Sequence, residues 1–186
     1  MSVHPETHPD SRKGVKDISP ICIQVEAFTD GLFDEMLPLI QKCWKECTQI
    51  KGETCAYYGE REFDVEPDLE GYKGLARLGS LVVVCLREDG LKGYAAGFTY
   101  PSLHHRKVLG CIGDTIYIEP GYRDHMGAVI DRFLREMTSR KADIIGWPVG
   151  PRTQVHKLLK ERGFVRDDIV MEKRLFKESV CASLRP

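Results

Sequence analysis

Apolar and polar positions alternate through "ICIQVEAF", residues 21–28, placing Ile21, Ile23 and Val25 on one face. That is the period of a β-strand. The period then lengthens: Leu32, Phe33, Met36, Leu37, Ile40, Trp44 and Cys47 recur at helical spacing, after Thr29 or Asp30 as cap. Pro38 falls inside this stripe, so the helix is expected to kink or to restart there. Residues 51–68, "KGETCAYYGEREFDVEPD", carry no clean period and read as a long loop or an element packed late. "PDLEGYKGLARLGS" puts Leu69, Tyr72, Leu75 and Leu78 on one stripe before Gly79, which predicts a short helix. "LVVVCLREDGLKGYAAGFTYP" is the clearest hairpin: an apolar run over 81–86, a turn at Asp89-Gly90 and a return over 91–100. After the loop "SLHHRKVLG" the pattern predicts a strand over 111–119, a helix over about 125–140 and a short strand over 144–149. A helix over 153–162, stopped by Gly163, and a final strand "IVMEKRLF" complete the chain.

The predicted order is β-α-α-β-β-β-α-β-α-β. A hairpin feeding two crossover units implies an α/β fold of mixed type. The expectation is one domain with a central sheet of about six to seven strands and helices on both faces. Residues 1–19 are polar, with Pro5 and Pro9, and read as a flexible arm. The domain spans 20–176, and 177–186 form a tail.

Composition narrows the classes. The chain has 186 residues, 42% hydrophobic and 30% charged, with net charge −1 and a pI near 6.6. A nucleic-acid binder with a broad basic face is disfavoured. No run approaches the ~20 apolar residues of a membrane span. "MSVHPETHPDSRKG" has no apolar signal-peptide core, so a cytoplasmic protein is expected. The seven cysteines are odd in number and several lie in apolar runs, so they read as small reduced hydrophobes. Cys43, Cys47 and Cys55 cluster without a nearby histidine, and no metal site is expected.

The chemistry-bearing stretch is "YIEPGYRDHMGAVIDRFL", residues 117–134. A strand ends at a proline and a helix follows almost at once. The first N–H groups of a helix lack intrahelical partners and carry the positive end of its dipole. Such a joint suits a phosphate, with Arg123 adding charge and Gly127 and Ala128 permitting close approach. The plain alternative is a surface connection in which Arg123 pairs with Asp124 or Glu119.

Order and motif together resemble the GNAT superfamily of N-acetyltransferases over about residues 20–176. The family's pyrophosphate loop reads Arg/Gln-x-x-Gly-x-Gly/Ala. "IYIEPGYR" is similar to its strand lead-in, "LKGYAAGF" to its central hairpin return and "LLKERGF" to its last helix and Gly-Phe exit. "LPLIQKCWKE", "PDLEGY", "LHH" and "YIEPGYR" look most like the acetyltransferase-like proteins of tailed bacteriophages, which would place the chain in a host cytoplasm. The resemblance implies acetyl-coenzyme A as cofactor. Its contacts would come from Ile116, Tyr117, Ile118, Arg123, Asp124, His125, Met126, Gly127 and Ala128, with Arg152 and Thr153 beside the last helix. Thr153 reads equally as that helix's cap. Counted from Arg123, the family's first glycine falls on Met126. Counted from the helical stripe Met126, Ile130, Phe133 and Met137, Gly127 takes its last glycine.

An acetyl transfer needs a base for the ammonium and an acid for the thiolate. The resemblance points to a carboxylate on the fourth strand, here Asp114, whose alternative is a strand-end carboxylate paired with a basic neighbour. His104 and His105 are loop candidates for acceptor binding or proton uptake, or else a solvated loop. The family's thiolate acid is often a tyrosine where this chain has Leu159, and His156 one turn earlier is the candidate substitute. The acceptor stays open among small amines, protein N-termini, lysines and aminoglycosides, with the loops at 51–66 and 101–110 expected to set selectivity. A catalytically degenerate binding module for a host or virion protein and a ligand-free phage structural protein are the competing classes. Dimers are common among related enzymes, which leaves a homodimer open.

Overall fold

A computed structural model describes residues 20–49, 66–149 and 153–165. In chain order these form β1 (Cys22–Glu26), α1 (Asp30–Gln49), α2 (Leu69–Arg77), β2 (Leu81–Arg87), β3 (Leu91–Pro101), β4 (Leu109–Ile118), a 3-10 turn (Pro120–His125), α3 (Met126–Ser139), β5 (Ile144–Gly146) and α4 (Gln154–Glu161). Five strands pair in the order β1-β2-β3-β4-β5 among the described residues, fewer than the six to seven expected. The predicted strand at 169–176, the arm at 1–19, the loop at 51–65 and Arg152 lie outside the described residues.

The hairpin frames the sheet. Asp89 and Gly90 both take positive φ (50° and 113°), a twist that lets β2 and β3 pair directly. β1 to β4 are antiparallel neighbours, and β5 joins β4 in parallel at Gly110↔Ile144, Cys111↔Ile145 and Ile112↔Gly146. Alternation along β2 sorts the core into two layers. Val82, Val84 and Leu86 pack with Ile130, Phe133 and Met137 of α3 and Leu159 of α4. Val83 and Cys85 face the other way, onto Leu32, Met36 and Leu39 of α1.

Four local expectations change. α1 does not restart at Pro38. The proline sits on the exposed side, where water can satisfy the carbonyl it leaves free, and buried Met36 and Leu39 anchor the turns around it. Thr29 is the cap, its Oγ1 accepting the Leu32 N–H at 3.1 Å. Leu78 leaves the α2 stripe: the helix ends at Arg77 and Leu78 stands 81% exposed before Gly79 (φ +67°). The fifth strand stops at Gly146 because Trp147 turns into the core. Cys85 and Cys111 are buried hydrophobes, as read, whereas Cys22 is exposed.

Candidate active site

β4 changes face midway. Cys111 belongs to the α3 layer and Tyr117 to the α1 layer, although six residues of a regular strand would keep them on one side. The cause is a bulge: Gly97 pairs with Gly113 and Ala96 with Thr115, leaving Asp114 as the extra residue. Bulges re-aim side chains. Here the carboxyl of Asp114 opens onto a cavity of about 200 Å³. Its walls come from Tyr72 and Leu75 of α2, Leu81, Ala96 and Phe98 of the sheet, and Asp68 at the start of α2. Asp114 has no hydrogen bond or ion pair among the described residues, so the basic-neighbour alternative finds no partner there. Asp114 stands at an exposed position of β4, and partial desolvation against these walls raises its pKa above the usual carboxylate value. Tyr72 is pushed up to about 12, first by burial and then by the charge of Asp114, and stays a neutral phenol. On the same layer Tyr94 is fully buried, and its hydroxyl meets no hydrogen-bond partner within bonding geometry among the described residues.

β4 and β5 part company beside the bulge. Their last pair is Ile112↔Gly146. The next residue, Trp147, lies against Gly113: a Cβ there would stand 2.4 Å from the Trp147 ring. Trp147 also packs on Phe133 of α3, with ring centroids 5.0 Å apart. The indole thus covers Gly113 on the α3 face of β4, just past the last β4–β5 pair. Beyond Ile112 the outer edge of β4, including Ile116, Tyr117 and Ile118, has no strand partner among the described residues. Such an edge presents backbone donors and acceptors to a ligand.

The joint after β4 is tighter than a bare helix start. The Pro120–His125 turn runs directly into α3, and the Met126 N–H donates to the Arg123 carbonyl. Met126 is 6% exposed and packs into the core with Val129, Ile130, Phe133 and Met137. It therefore does not crowd the mouth of the joint, where Gly127 is half-buried and Ala128 exposed. His125 precedes α3 without a side-chain cap bond, and Asp124 is exposed. Arg123 pairs with neither Asp124 nor Glu119. Its Nη2 bonds Glu46 of α1, whose other oxygen accepts the Tyr117 hydroxyl at 2.8 Å, while Glu119 binds Lys42 at 2.5 Å. On the opposite side Arg162 donates to the Gly127 carbonyl (3.1 Å) and doubly to Asp131 (2.6 and 2.9 Å), fastening the end of α4 to the start of α3.

The remaining candidates lie apart. His104 and His105 sit in an exposed loop before Leu109, at the end of β4 away from Arg123. Five residues of strand separate Leu109 from Asp114, about 17 Å at 3.4 Å per residue. Thr153 caps α4, its Oγ1 accepting the His156 N–H at 3.1 Å, and His156 is half-buried. Leu159 is core, 2% exposed. Sequence reading missed the roles of Tyr72, Asp68, Trp147, Glu46 and Arg162. Only Asp68 carried a signal, the proline-Asp start of a helix, and that pointed to capping: its Oδ1 does accept the Gly71 N–H at 2.9 Å.

A mixed five-strand sheet with α1 and α2 on one face and α3 and α4 on the other is the fold of the GNAT acetyltransferases. Among solved structures, the chain is similar to an aminoglycoside acetyltransferase from an uncultured soil metagenomic sample, in complex with sisomicin, at 10% identity over 84% of this chain and 97% of that one (TM-score 0.61). It is also similar to glucosamine-6-phosphate N-acetyltransferase from Arabidopsis thaliana, at 8% identity over 83% and 99% (TM-score 0.60). A third is AAC(6')-Iy in complex with a bisubstrate analog, CoA-S-monomethyl-acetylneamine, at 14% identity over 82% and 97% (TM-score 0.57). No family model matches the sequence, and no curated protein matches it. At these identities the likeness defines the fold. No helix among the described residues is long and apolar enough to cross a membrane.

Proposed function

We propose that the protein is an acetyl-coenzyme A-dependent N-acetyltransferase that acts on an amine. The observation that carries this reading is Asp114, a carboxyl of raised pKa without an ion pair among the described residues, placed by a bulge at the wall of a cavity beside the point where β4 and β5 separate. A general base needs that combination of reach and basicity. The unpaired edge of β4 at Ile116, Tyr117 and Ile118 suits the amide-bearing arm of the coenzyme. The start of α3 at His125, Met126, Gly127 and Ala128 suits its phosphates. Met126 turning inward supports that fit. When bound, the coenzyme supplies a thioester carbonyl. Asp114 would take a proton from the acceptor ammonium, and backbone N–H groups where the strands part would be the donors available to an oxyanion. Leu159 has no proton to give, so His156 or solvent would supply that of the thiol.

The Nη2 of Arg123 is engaged by Glu46, so a phosphate that draws this guanidinium competes with that ion pair. Coenzyme and Glu46 then compete for one guanidinium. Glu46→Gln is expected to tighten coenzyme binding about threefold to tenfold, the scale of a half-exposed ion pair. Calorimetry measures it, and unchanged or weaker binding makes Arg123 a clamp between α1 and the joint.

The decisive test is titration of acetyl-coenzyme A into the whole protein beside Gly127→Glu. That substitution adds a carboxylate at the positive end of α3, with its Cβ 3.0 Å from the Arg162 guanidinium. Micromolar binding by the wild type, weakened about a hundredfold in the variant (~2.7 kcal/mol), supports the reading. A folded wild type that binds no coenzyme overturns it. The second reading, a degenerate module that binds a host or virion protein, is favoured by the occupied Arg123 and by Leu159, and it gains from that outcome. The narrower likeness to phage-encoded proteins rests on the sequence stretches alone.

A further inference from the structure

We propose that the acceptor is a compact primary amine carrying an apolar, preferably aromatic, group near its nitrogen, seated in the cavity between α2 and the β3–β4 bulge. The inference deepens the acetyltransferase reading and rests on it for turnover, though not for binding. Three features of the cavity select this class. The first is size: about 200 Å³ is below the ~300–1,000 Å³ of pockets that hold drug-sized ligands, which favours a one-ring amine over a polycyclic one.

The second is charge. Among the described residues the charged side chains of the lining are Asp68 and Asp114, both acidic. Asp68 is already engaged by the N-terminus of α2 through the Gly71 N–H, whereas Asp114 has no partner among the described residues. An ammonium is therefore drawn to Asp114, and an acceptor bearing a phosphate is repelled. The third is the apolar wall. Tyr72 stacks on Phe28 with ring centroids 5.4 Å apart and 15° between planes, and also packs on Phe33 at 5.9 Å. Its ring, held by these contacts, lines the cavity together with Leu75 and Phe98. A rigid aromatic face rewards an apolar stem and attracts the cation at its end.

In the transfer, the amine nitrogen bonds the acetyl carbon as the carbon–sulfur bond breaks. One of the two protons lost by the ammonium leaves through Asp114, and the other ends on the sulfur.

The test uses the full chain and four amines: phenethylamine, spermidine, glucosamine-6-phosphate and kanamycin. Thiol release gives kcat/KM for each, and NMR titration gives phenethylamine binding without coenzyme. Phenethylamine is expected to exceed the other three at least tenfold. Leu75→Lys, which places a cation in the lining, is expected to lower both its kcat/KM and its binding at least tenfold, with the circular dichroism spectrum unchanged. Where Leu75→Lys fails to fold, Tyr72→Leu carries the same comparison. Coenzyme binding with kanamycin, spermidine or glucosamine-6-phosphate preferred overturns the acceptor class and leaves the acetyltransferase reading standing. Without coenzyme binding the acetyltransferase reading fails alone: saturable phenethylamine binding lost in the variant still supports the cavity as an amine site, and no binding overturns it.

Discussion

Asp114→Asn is expected to lower turnover by about 10²–10⁴-fold, the usual worth of a positioned base, while leaving the folded protein at least as stable at neutral pH. The two halves of this expectation have one cause. The carboxyl stands at an exposed position against largely apolar walls, with no cation paired to it among the described residues, so partial desolvation disfavours its ionised form and raises its pKa. For a carboxyl with a raised folded pKa, the favourable contribution to stability is present below the unfolded pKa. It is lost as pH rises through the folded pKa, because the unfolded chain releases the proton more readily. Ionised Asp114 is thus a standing cost at neutral pH that asparagine removes. Thermal melts should give the variant an equal or higher Tm at pH 7, with the gap closing toward acid. In the wild type, kcat/KM should fall on the acid side along a limb placed above the ordinary aspartate range, and the variant should lack that limb. A structural carboxylate would behave in the opposite way: Asp114→Asn would lower Tm and leave the pH profile in place. Stability gained where activity is lost is the signature of a strained functional group.

Legibility in the sequence followed the range of the interactions. Elements with a strong local period were legible: the hairpin, the α3 stripe from Met126 to Met137, and the capped starts of α1 and α4. These depend on residues within a turn or two of one another. Asp114 could be singled out because a carboxylate in an apolar strand has a desolvation cost to explain. Its direction could not be read, since the bulge arises from the pairing of β4 with β3 and flips the face of every residue after it. The partner of Arg123 is 77 residues away in sequence, and nothing near Glu46 marks it. Tyr72 looked like one more position on a helical stripe, and it is, but its ring also forms a wall. The two registers for the joint after β4 assign the family's glycine positions to Met126 and Ala128 or to Gly127, and the direction of Met126, buried at 6% exposure, depends on packing with α3 that no local pattern gives.

Gly113→Ala is expected to destabilise the fold by about 1–3 kcal/mol, the range for overpacking a filled core, and to weaken coenzyme binding with it. A Cβ at that position would lie 2.4 to 2.8 Å from three atoms of the Trp147 ring system. The ring has little room to retreat, because it is 9% exposed and wedged against Phe133, which is fully buried. Something must shift, either the indole or the course of β4, and both define where the strands part. Trp147→Ala approaches the same joint from the other side: removing a buried indole costs about 3–5 kcal/mol. Urea denaturation of both single variants and of the pair closes a double-mutant cycle. With the ring gone the alanine methyl has space, so Gly113→Ala should cost almost nothing in the Trp147→Ala background, leaving a coupling of about 1–3 kcal/mol. Additive losses would mean that the indole does not rest on Gly113, and the opening between β4 and β5 would then need another cause. The coupling also bears on function. If the packing of Trp147 over Gly113 sets where the strands part, the double variant should recover stability relative to the sum of the singles without recovering the proposed coenzyme binding.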